Sequence, residues 1–443
     1  MKNRDVFKLL ALVLIGSAIC LRIEAQPAGN LTDYFASKAT PFNAADDLDP
    51  LIQSAANRKL VLLGEASHGT HEYYHWRSEI SKKLIQEHGF AFIVVEGDWA
   101  SIYRLNKYVK GLDSQSSSAL DVLRSFDRWP QWMWANTDVA HLAEWLREYN
   151  TGRPLNEMVG FFGMDVYGQW DAMDDLLEYT REHLPHHHDE ISRNLNCFAG
   201  FGSDEWQYAR AVAAGQAGCS ENLERVVEIL RNYETKLAGS DPKGYFRAKQ
   251  NALVMKNAES FYRLAVGSSA ESWNSRVDHM WLTVQRLFQF HHEDAKGIVW
   301  AHNTHVGDSR ATTMALHNQY NIGSLSRAEL GEEQVYIIGF GTRSGTVNAG
   351  SQWGAAMQVM RVPEAQSGSL DHYLGMIKYP QFFIRFDVSD RQHPLLAEPL
   401  GHRAIGVTYN PRREAGNYVP TLPAWRYDAL IFFQQTRALN PVK

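Results

Sequence analysis

The pattern of hydrophobic residues predicts a strand–helix–strand unit near the start of the chain. Leu60–Leu63 is a short apolar run that ends at Gly64, and Phe90–Val95 is a second run that is rich in β-branched residues. Between them, Arg77–His88 carries apolar residues at helical spacing and is followed by Gly89. Strands that are apolar throughout are typical of a parallel sheet covered on both faces. A right-handed crossover then brings the carboxyl ends of both strands to one edge of the sheet.

Further apolar runs predict a sheet of six to eight strands. The additional candidates are Met158–Met164, Gly297–Ala301, Gln334–Phe340, Phe382–Phe386, Ala404–Tyr409 and Tyr427–Phe433. Between residues 172 and 292 such runs vanish, and the pattern predicts helices at Met173–His183, Glu205–Ala214, Glu221–Lys236, Tyr245–Val266 and Arg276–His291. Within this region we interpret His186–His188 as a solvated loop after Pro185 and not as a metal site. The sequence therefore predicts an α/β sandwich with an all-helical insertion lobe.

Ionisable side chains follow four of the predicted strands. A lone histidine after a strand is more often a structural residue, so each of these side chains taken singly is weak evidence for a site. In open α/β sheets, however, ligands bind outside the carboxyl ends of the strands. The convergence of four strand ends therefore predicts a functional site formed by residues from the set Glu65, His68, Glu96, Asp98, Asp165, His302, His305 and Asp308.

The residue types favour hydrolysis in which a histidine activates water. The chain has no GxSxG motif, and Ser67 is adjacent to His68, where the two side chains tend to point apart. A neutral histidine can instead take a proton from water while a carboxylate orients the ring. A second histidine or an arginine can stabilise the oxyanion or protonate the leaving alkoxide.

Several motifs together resemble the erythromycin esterase family. They occur in the family's order and cover essentially the whole chain after residue 25. They are GEASHGTHEYYHWR (Gly64–Arg77), VVEGDWA (Val94–Ala100), WPQWMWANTD (Trp129–Asp138), FFGMDVYGQW (Phe161–Trp170), RVDHM (Arg276–Met280), WAHNTHVGD (Trp300–Asp308) and GTVNA (Gly345–Ala349). The resemblance implies a three-layer α/β/α core with a mostly parallel central sheet and helices over the cleft. The catalytic core would comprise residues 26–171 and 293–443, and the helical lobe residues 172–292.

The resemblance also implies roles for individual residues in the hydrolysis of a macrocyclic lactone. His68 matches the general base, and Glu65 matches the carboxylate of the same motif. The remaining catalytic positions that it implies are Arg77, Glu96, His302 and His305. The chain's 13 Trp and 19 Tyr suit an aromatic-walled cleft for a bulky, mostly apolar small molecule. For contacts with the substrate, we expect Trp99, Trp132, Asp165 and Arg276.

Metal chemistry is the main alternative. The carboxylates and histidines of the site are ligand types that suit zinc, manganese or iron. The alternatives are therefore a metal-dependent hydrolase of another bulky ester or amide, or a non-catalytic haem- or metal-binding protein. Erythromycin esterases are regarded as metal-independent, so the resemblance implies no cofactor and no metal.

The N-terminus predicts export. Lys2, Arg4 and Lys8 precede a 13-residue apolar run, Leu9–Leu21, which is short for a membrane span but suits a signal peptide. We therefore expect residues 1–25 to be a signal peptide cleaved after Ala25, with a periplasmic or secreted product. Lipid attachment at Cys20 is disfavoured because the bulky Ile19 precedes it.

The net charge limits the classes of partner that we expect, and the cysteines bear on the redox compartment of the chain. Without the first 25 residues, 40 Lys and Arg oppose 48 Asp and Glu, which gives a net charge of −8. An acidic chain with no basic run argues against a nucleic-acid partner, and no other apolar stretch is long enough to span a bilayer. The two remaining cysteines, Cys197 and Cys219, either pair in an oxidising compartment or stay as free thiols.

Overall fold

The computed structural model describes residues 30–201, 204–292 and 294–442. The predicted signal peptide, its predicted cleavage point and Cys20 lie outside the described residues. Among the described residues, none of the helices combines the length and the apolar character that a membrane span requires.

A sheet of nine strands forms the centre of the described chain, and two further strands form a separate ribbon. The strands are β1 (Thr40–Pro41), β2 (Leu60–Leu63), β3 (Phe90–Asp98), β4 (Gly160–Asp165), β5 (Lys296–Trp300), β6 (Val335–Gly350), β7 (Met357–Val362), β8 (Gln381–Arg385), β9 (Leu400–Arg403), β10 (Tyr418–Thr421) and β11 (Ala429–Thr436). The sheet order is β1-β8-β11-β6-β2-β5-β3-β4, with β7 paired to β6. All pairs from β11 across to β4 are parallel, which confirms a mostly parallel sheet.

Helices cover both faces of this sheet. They are α1 (Asn30–Lys38), α2 (Asp49–Ala55), α3 (His71–His88), α4 (Trp99–Val109), α5 (Ala119–Arg124), α6 (Thr137–Asn150), α7 (Gln169–His183), α8 (Pro185–Leu195), α9 (Glu205–Ala213), α10 (Ser220–Asn232), α11 (Glu234–Ser240), α12 (Pro242–Ala265), α13 (Ser269–His291), α14 (Asn303–Val306), α15 (Ile322–Leu330), α16 (Leu370–Gly375), α17 (Val388–Arg391) and α18 (Pro423–Arg426). Alternate strand residues contribute to two separate hydrophobic cores: Leu62 and Val94 face one, and Leu63 and Val95 the other. The three-layer α/β/α class is therefore confirmed.

The described chain between β4 and β5 is helical, as the insertion lobe requires. It runs from α7 to α13, and its apolar faces pack into the same core as Leu62 and Val94. The exact limits of the catalytic core and the lobe, at residues 172 and 292, stay a prediction. Cys197 and Cys219 are joined by a disulfide in this lobe, with Cα atoms 5.6 Å apart.

Three local expectations were wrong. His186–His188 are not a loop but belong to α8, because Pro185 occupies the first turn, where a missing N–H is tolerated. α3 begins at His71, six residues before Arg77, and its first turns bury Tyr73 and Tyr74. Ala404–Tyr409 is not a strand: it makes only isolated bridges, such as Ile405 to Ser67.

β6 is also longer than its apolar part suggests. The polar, glycine-containing sequence after Phe340 continues the strand to Gly350, and its end pairs with β7. Gly69 lies against this extension, where a Cβ atom would meet the backbone of Asn348. The backbone N–H of Asn348 donates to the Gly69 carbonyl at 3.0 Å. The extension therefore supports the turn that carries His68.

Candidate active site

Four adjacent parallel strands deliver most of the predicted residues to one edge of the sheet, whereas Asp308 pairs with Arg310 and Arg327 instead. β2, β5, β3 and β4 lie side by side. The chain adds β3, β4 and β5 on one side of β2 and then adds β6 on its other side, so the side on which strands are added switches at β2. Such a switch point opens a crevice at the carboxyl ends of the strands. The residues brought together there are Glu65, His68, Arg77, Glu96, Asp165, Arg276, His302 and His305.

Glu65 joins His68 to Arg77. Its Oε1 lies 2.8 Å from Nδ1 of His68, and its Oε2 accepts from Nη2 of Arg77 at 2.7 Å. Glu65 and Arg77 are fully buried, and the guanidinium lies over the rings of Tyr74 and Trp300. Because an ionised carboxylate only accepts, Nδ1 of His68 carries a proton and Nε2 is left as the acceptor.

Arg276, from helix α13 of the lobe, joins two further carboxylates. Its Nε and Nη2 donate to the two oxygens of Asp165 at 2.8 and 2.6 Å, and Nη2 also donates to Oε1 of Glu96 at 2.8 Å. The other Glu96 oxygen accepts from the backbone N–H of His302 at 2.9 Å. The polar atoms of Asp165 and Arg276 are thus largely engaged with each other.

His302 and His305 follow β5 and make different contacts. Nδ1 of His302 accepts from the backbone N–H of Thr304 at 3.2 Å and lies 2.8 Å from the Thr304 hydroxyl. Its Nε2 therefore carries the ring proton, and within the described chain that buried atom has no hydrogen-bond partner. His305 lies 3.3 Å from Oε1 of Glu96 and stacks on Trp273 with ring centroids 4.5 Å apart.

The surroundings move the pKa values of these groups apart. Burial lowers the pKa of His68, but the charges of Glu96 and Glu65 and the bond to Glu65 outweigh it, so the pKa is raised above 6.5. Burial and the neighbouring His68 hold the pKa of His302 well below 6.5. Burial raises the pKa of Glu96, yet His305, His68 and Arg276 hold it well below its usual range. Glu96 is therefore an anion and not a proton donor.

A cavity of about 560 Å³ opens onto this cluster. His68, Glu96, Asp165, Arg276, His302 and His305 line it, whereas Glu65 and Arg77 lie behind His68 and do not. Apolar side chains complete the lining, among them Ile102, Phe126, Met133, Trp134 and Val407. The cavity thus combines a charged cluster with apolar surface, which suits a bulky ligand with a few polar groups.

The tryptophans expected at the substrate do not all reach the cavity. Trp99 and Trp132 are not among its lining residues. Trp99 is fully buried because it begins α4 and stacks on Phe162 in the core, with ring centroids 5.8 Å apart. The tryptophans that do line the cavity are Trp134, Trp273 and Trp353.

Arg128 and Tyr167 also line the cavity, although the sequence did not single them out as site residues. Arg128 follows α5 in a segment without periodicity, so nothing in the pattern pointed to it. Tyr167 lies two residues beyond β4, in the motif that contains Asp165. Its position just after a strand end could have identified it as a candidate site residue. The guanidinium groups of Arg128 and Arg276 lie 4.5 and 5.0 Å from its ring.

The carboxylates of the site are already occupied by protein donors. Glu65 is held by His68 and Arg77, and Glu96 by Arg276 and the His302 backbone. Among the described residues, no three histidines, cysteines or carboxylates are grouped so that they could hold one metal ion.

A sequence family identifies relatives of this chain, and solved structures show its fold. Residues 85–436 match the sequence family described as erythromycin esterase. This range includes Glu96, Asp165, Arg276, His302 and His305, whereas Glu65, His68 and Arg77 precede it.

Three solved structures share the fold. A succinoglycan biosynthesis protein has a TM-score of 0.74 at 20% identity, covering 94% of this chain and 98% of its own. A protein from Bacillus cereus has a TM-score of 0.75 at 19% identity, covering 93% and 98%. A mutant of the erythromycin esterase EreC in its open conformation has a TM-score of 0.66 at 16% identity, covering 90% and 97%.

Proposed function

The chain belongs to the erythromycin esterase family, and on that premise we propose that it opens the lactone ring of a macrolide with water that His68 activates. Family membership supports ester hydrolysis in general, and the finer assignment is our inference. The observation that carries it is the 2.8 Å contact between Glu65 and the Nδ1 of a histidine that lines a large, partly apolar cavity.

The first step is proton transfer from water to His68. With Nδ1 bonded to Glu65, the free Nε2 accepts a proton while the water oxygen attacks the lactone carbonyl. The resulting imidazolium is stabilised by the negative charge of Glu65, which Arg77 holds in position. The attack forms one C–O bond and places a negative charge on the former carbonyl oxygen.

The second step breaks the ring ester. His302 lines the same cavity and carries its ring proton on Nε2, and its pKa well below 6.5 keeps the ring neutral at ordinary pH. We assign this N–H to the oxyanion, because a donor fixed in a buried site stabilises developing charge strongly. The tetrahedral species then expels the ring alkoxide, which takes the proton from His68. The product is an open-chain hydroxy acid.

Glu96, Asp165 and Arg276 hold the second half of the site. Arg276 uses Nε and Nη2 on the two carboxylates, and its Nη1 lies 3.3 Å from Nε2 of His305, so we assign it an electrostatic and positioning role. Through its bond to the His302 backbone, Glu96 fixes the start of the loop that carries His302 and His305. Direct contact of Asp165 or Arg276 with substrate stays a prediction.

Metal-dependent hydrolysis has less support, because the carboxylates that would bind the ion already accept from arginine and backbone donors. Chelator treatment distinguishes the two mechanisms: activity that survives it supports the metal-free route, and activity restored only by added zinc or manganese supports the alternative. A Soret band after addition of haem would favour a haem-binding protein.

The direct test of the substrate is mass spectrometry of erythromycin incubated with the purified protein. The proposal predicts a product heavier by one water, with an open lactone. Erythromycin that stays intact, together with hydrolysis of a simpler bulky ester, would move the assignment to another ester.

The biological role follows from the same reaction. Ring opening destroys the macrolide, so we infer that the chain confers macrolide resistance and acts as an exported, periplasmic or secreted enzyme. Expression in a susceptible bacterium should raise the inhibitory concentration of erythromycin, and expression of an inactive His68 variant should not.

A further inference from the structure

A second pair of charged side chains lines the same cavity away from the proposed base. Asp98 ends β3 and Arg128 follows α5, and both line the cavity. Their side chains are 15% and 24% exposed. Asp98 lies two residues after Glu96, so the two Cα atoms are at most about 7 Å apart. The pair is therefore close enough to contact the same ligand as the reacting centre.

The contact between Asp98 and Arg128 is loose. A single nitrogen, Nη1, lies 3.3 and 3.4 Å from the two carboxylate oxygens. In the same cavity, two nitrogens of Arg276 donate to the two Asp165 oxygens at 2.8 and 2.6 Å. Charge-assisted bonds of this type are normally about 2.7–2.9 Å long. The Asp98 pair is therefore unlike the tight pair beside it.

Asp98 also keeps unused capacity to accept hydrogen bonds. It occupies the N-cap position of α4, but its side chain makes no capping bond there. Within the described residues, Nη1 of Arg128 is its one hydrogen-bond donor, although a carboxylate offers about four acceptor sites. Burial raises the pKa of Asp98, Arg128 opposes that rise, and the charges of Asp165 and Asp171 add to it.

The chemistry of the pair selects a class of ligand. Asp98 and Arg128 carry opposite charges, so together they favour a neutral group with hydroxyls over a free cation or anion. Arg128 lies over the ring of Tyr167, and the half-exposed Trp353 is 6.4 Å from that ring. Aromatic faces beside a charged pair suit a ring that is apolar on one face and carries hydroxyls at its edge.

We propose that Asp98, Arg128 and Tyr167 form a subsite for a neutral, hydroxyl-bearing ring of the substrate, such as a glycosyl substituent of the lactone. The ring hydroxyls donate to Asp98, and the aromatic side chains contact its apolar face. This inference rests on the proposed lactone hydrolysis, because it concerns a second part of the same substrate.

The test compares three ligands: sugar-free erythromycin aglycone, the lactone carrying only its neutral sugar, and complete erythromycin. Binding is measured by calorimetry on a His68→Asn background, and kcat/KM on the otherwise native chain. We expect the neutral sugar to improve binding, and Asp98→Asn to weaken binding of that glycoside at least about tenfold. The aglycone should bind with the same affinity whether position 98 is Asp or Asn, because it lacks the sugar that Asp98 contacts.

Asp175→Asn is the matched control. Asp175 also faces an arginine at 3.3 Å, Arg247, but it does not line the cavity. It should leave all three affinities unchanged. If Asp98→Asn fails to fold, Arg128→Gln provides the same comparison, since it removes the other half of the pair.

The outcomes separate the two proposals. If native enzyme hydrolyses the lactones but Asp98→Asn or Arg128→Gln leaves the glycoside preference intact, the subsite is wrong and the proposed function stands. If the variants weaken only complete erythromycin, which also bears an amino sugar, the subsite binds a cation and the neutral-ring assignment is wrong. If native enzyme hydrolyses none of the lactones and none binds, the proposed function itself fails.

Discussion

His68 and His302 face each other with ring centroids 5.0 Å apart, and their pKa values move in opposite directions. Carboxylates adjoin His68 and raise its pKa, whereas burial dominates at His302 and lowers its pKa. The two imidazoles at this centre therefore differ in their affinity for a proton, and His68 is the more basic of the two. This difference is what the proposed reaction needs, because one ring takes a proton and the other supplies an N–H without a charge.

The pH dependence of kcat/KM should reflect His68. Only its neutral form can take a proton, and its pKa is raised, so the acid limb of the profile should have its midpoint above about 6.5. His302 should add no inflection near neutrality, since its pKa lies well below that range. A midpoint clearly below 6.5 would contradict the assignment of His68.

Glu65→Gln should shift the same limb towards lower pH and reduce kcat. The substitution removes a negative charge and a charge-assisted bond that raise the pKa of His68. It also removes the charge that stabilises the imidazolium. Asp138→Asn is the control, because Asp138 makes a 2.9 Å contact with a different histidine, His71, and should leave the limb in place. If the acid limb of the pH profile did not shift in Glu65→Gln, the proposed coupling of Glu65 to His68 would be wrong.

Arg276→Lys should both inactivate and destabilise the protein. Lysine cannot reproduce the paired bonds to Asp165 together with the bond to Glu96. Leaving buried carboxylates short of partners costs about 3 kcal/mol or more in the free energy of unfolding, measured by denaturant titration. Arg343→Lys, at an exposed pair with Glu364, should change it by less than about 1 kcal/mol. If Arg276→Lys and Arg343→Lys lowered the free energy of unfolding equally, the bonds from Arg276 to Asp165 and Glu96 would contribute no more than an exposed ion pair.

Replacing both cysteines by alanine should lower the melting temperature and leave kcat/KM unchanged. The Cys197–Cys219 bond spans 22 residues of the lobe, and a link of that length is worth roughly 3 kcal/mol. Neither cysteine lines the cavity. A native melting temperature in the double variant would show that the bond contributes little, and lost activity would show that the lobe couples to the site.

The sequence predicted the parts of the fold that are encoded locally. The apolar runs at β2, β3 and β5 identified the strands, and the sheet edge then brought Glu65, His68, Glu96 and His302 together. Trp99 lies in the core and not in the cavity lining, because its position beside a strand end does not specify which face of the sheet its side chain will reach. The Asp98–Arg128 pair depends on a contact between a strand end and a loop, which no periodic pattern records.

Helix starts and strand extensions were the other weak points. The His-rich start of α8 and the aromatic start of α3 have no strong helical pattern, and tertiary packing decides their conformation. The polar half of β6 forms a strand because β7 pairs with it. These polar, glycine-containing residues form no apolar run, so the hydrophobic pattern did not indicate the extension.

Ser67→Ala should retain most of the activity. The Ser67 hydroxyl is hydrogen-bonded to Thr70, and Ser67 does not line the cavity. A single turnover in ¹⁸O-water should therefore place the label in the new carboxylate, with no covalent adduct in the intact mass of the enzyme. An acyl group trapped on Ser67 would replace direct water attack with a covalent mechanism.

The turnover of His68→Gln directly tests whether His68 is the general base. We predict a loss of roughly 100-fold or more with the fold retained, because His68 lies on a turn beyond β2 and outside the hydrophobic cores, and glutamine can still donate to Glu65. His71→Gln is the matched control, since His71 also contacts a carboxylate but does not line the cavity, and it should keep near-native turnover. Near-native turnover in a folded His68→Gln variant would show that His68 is not the general base.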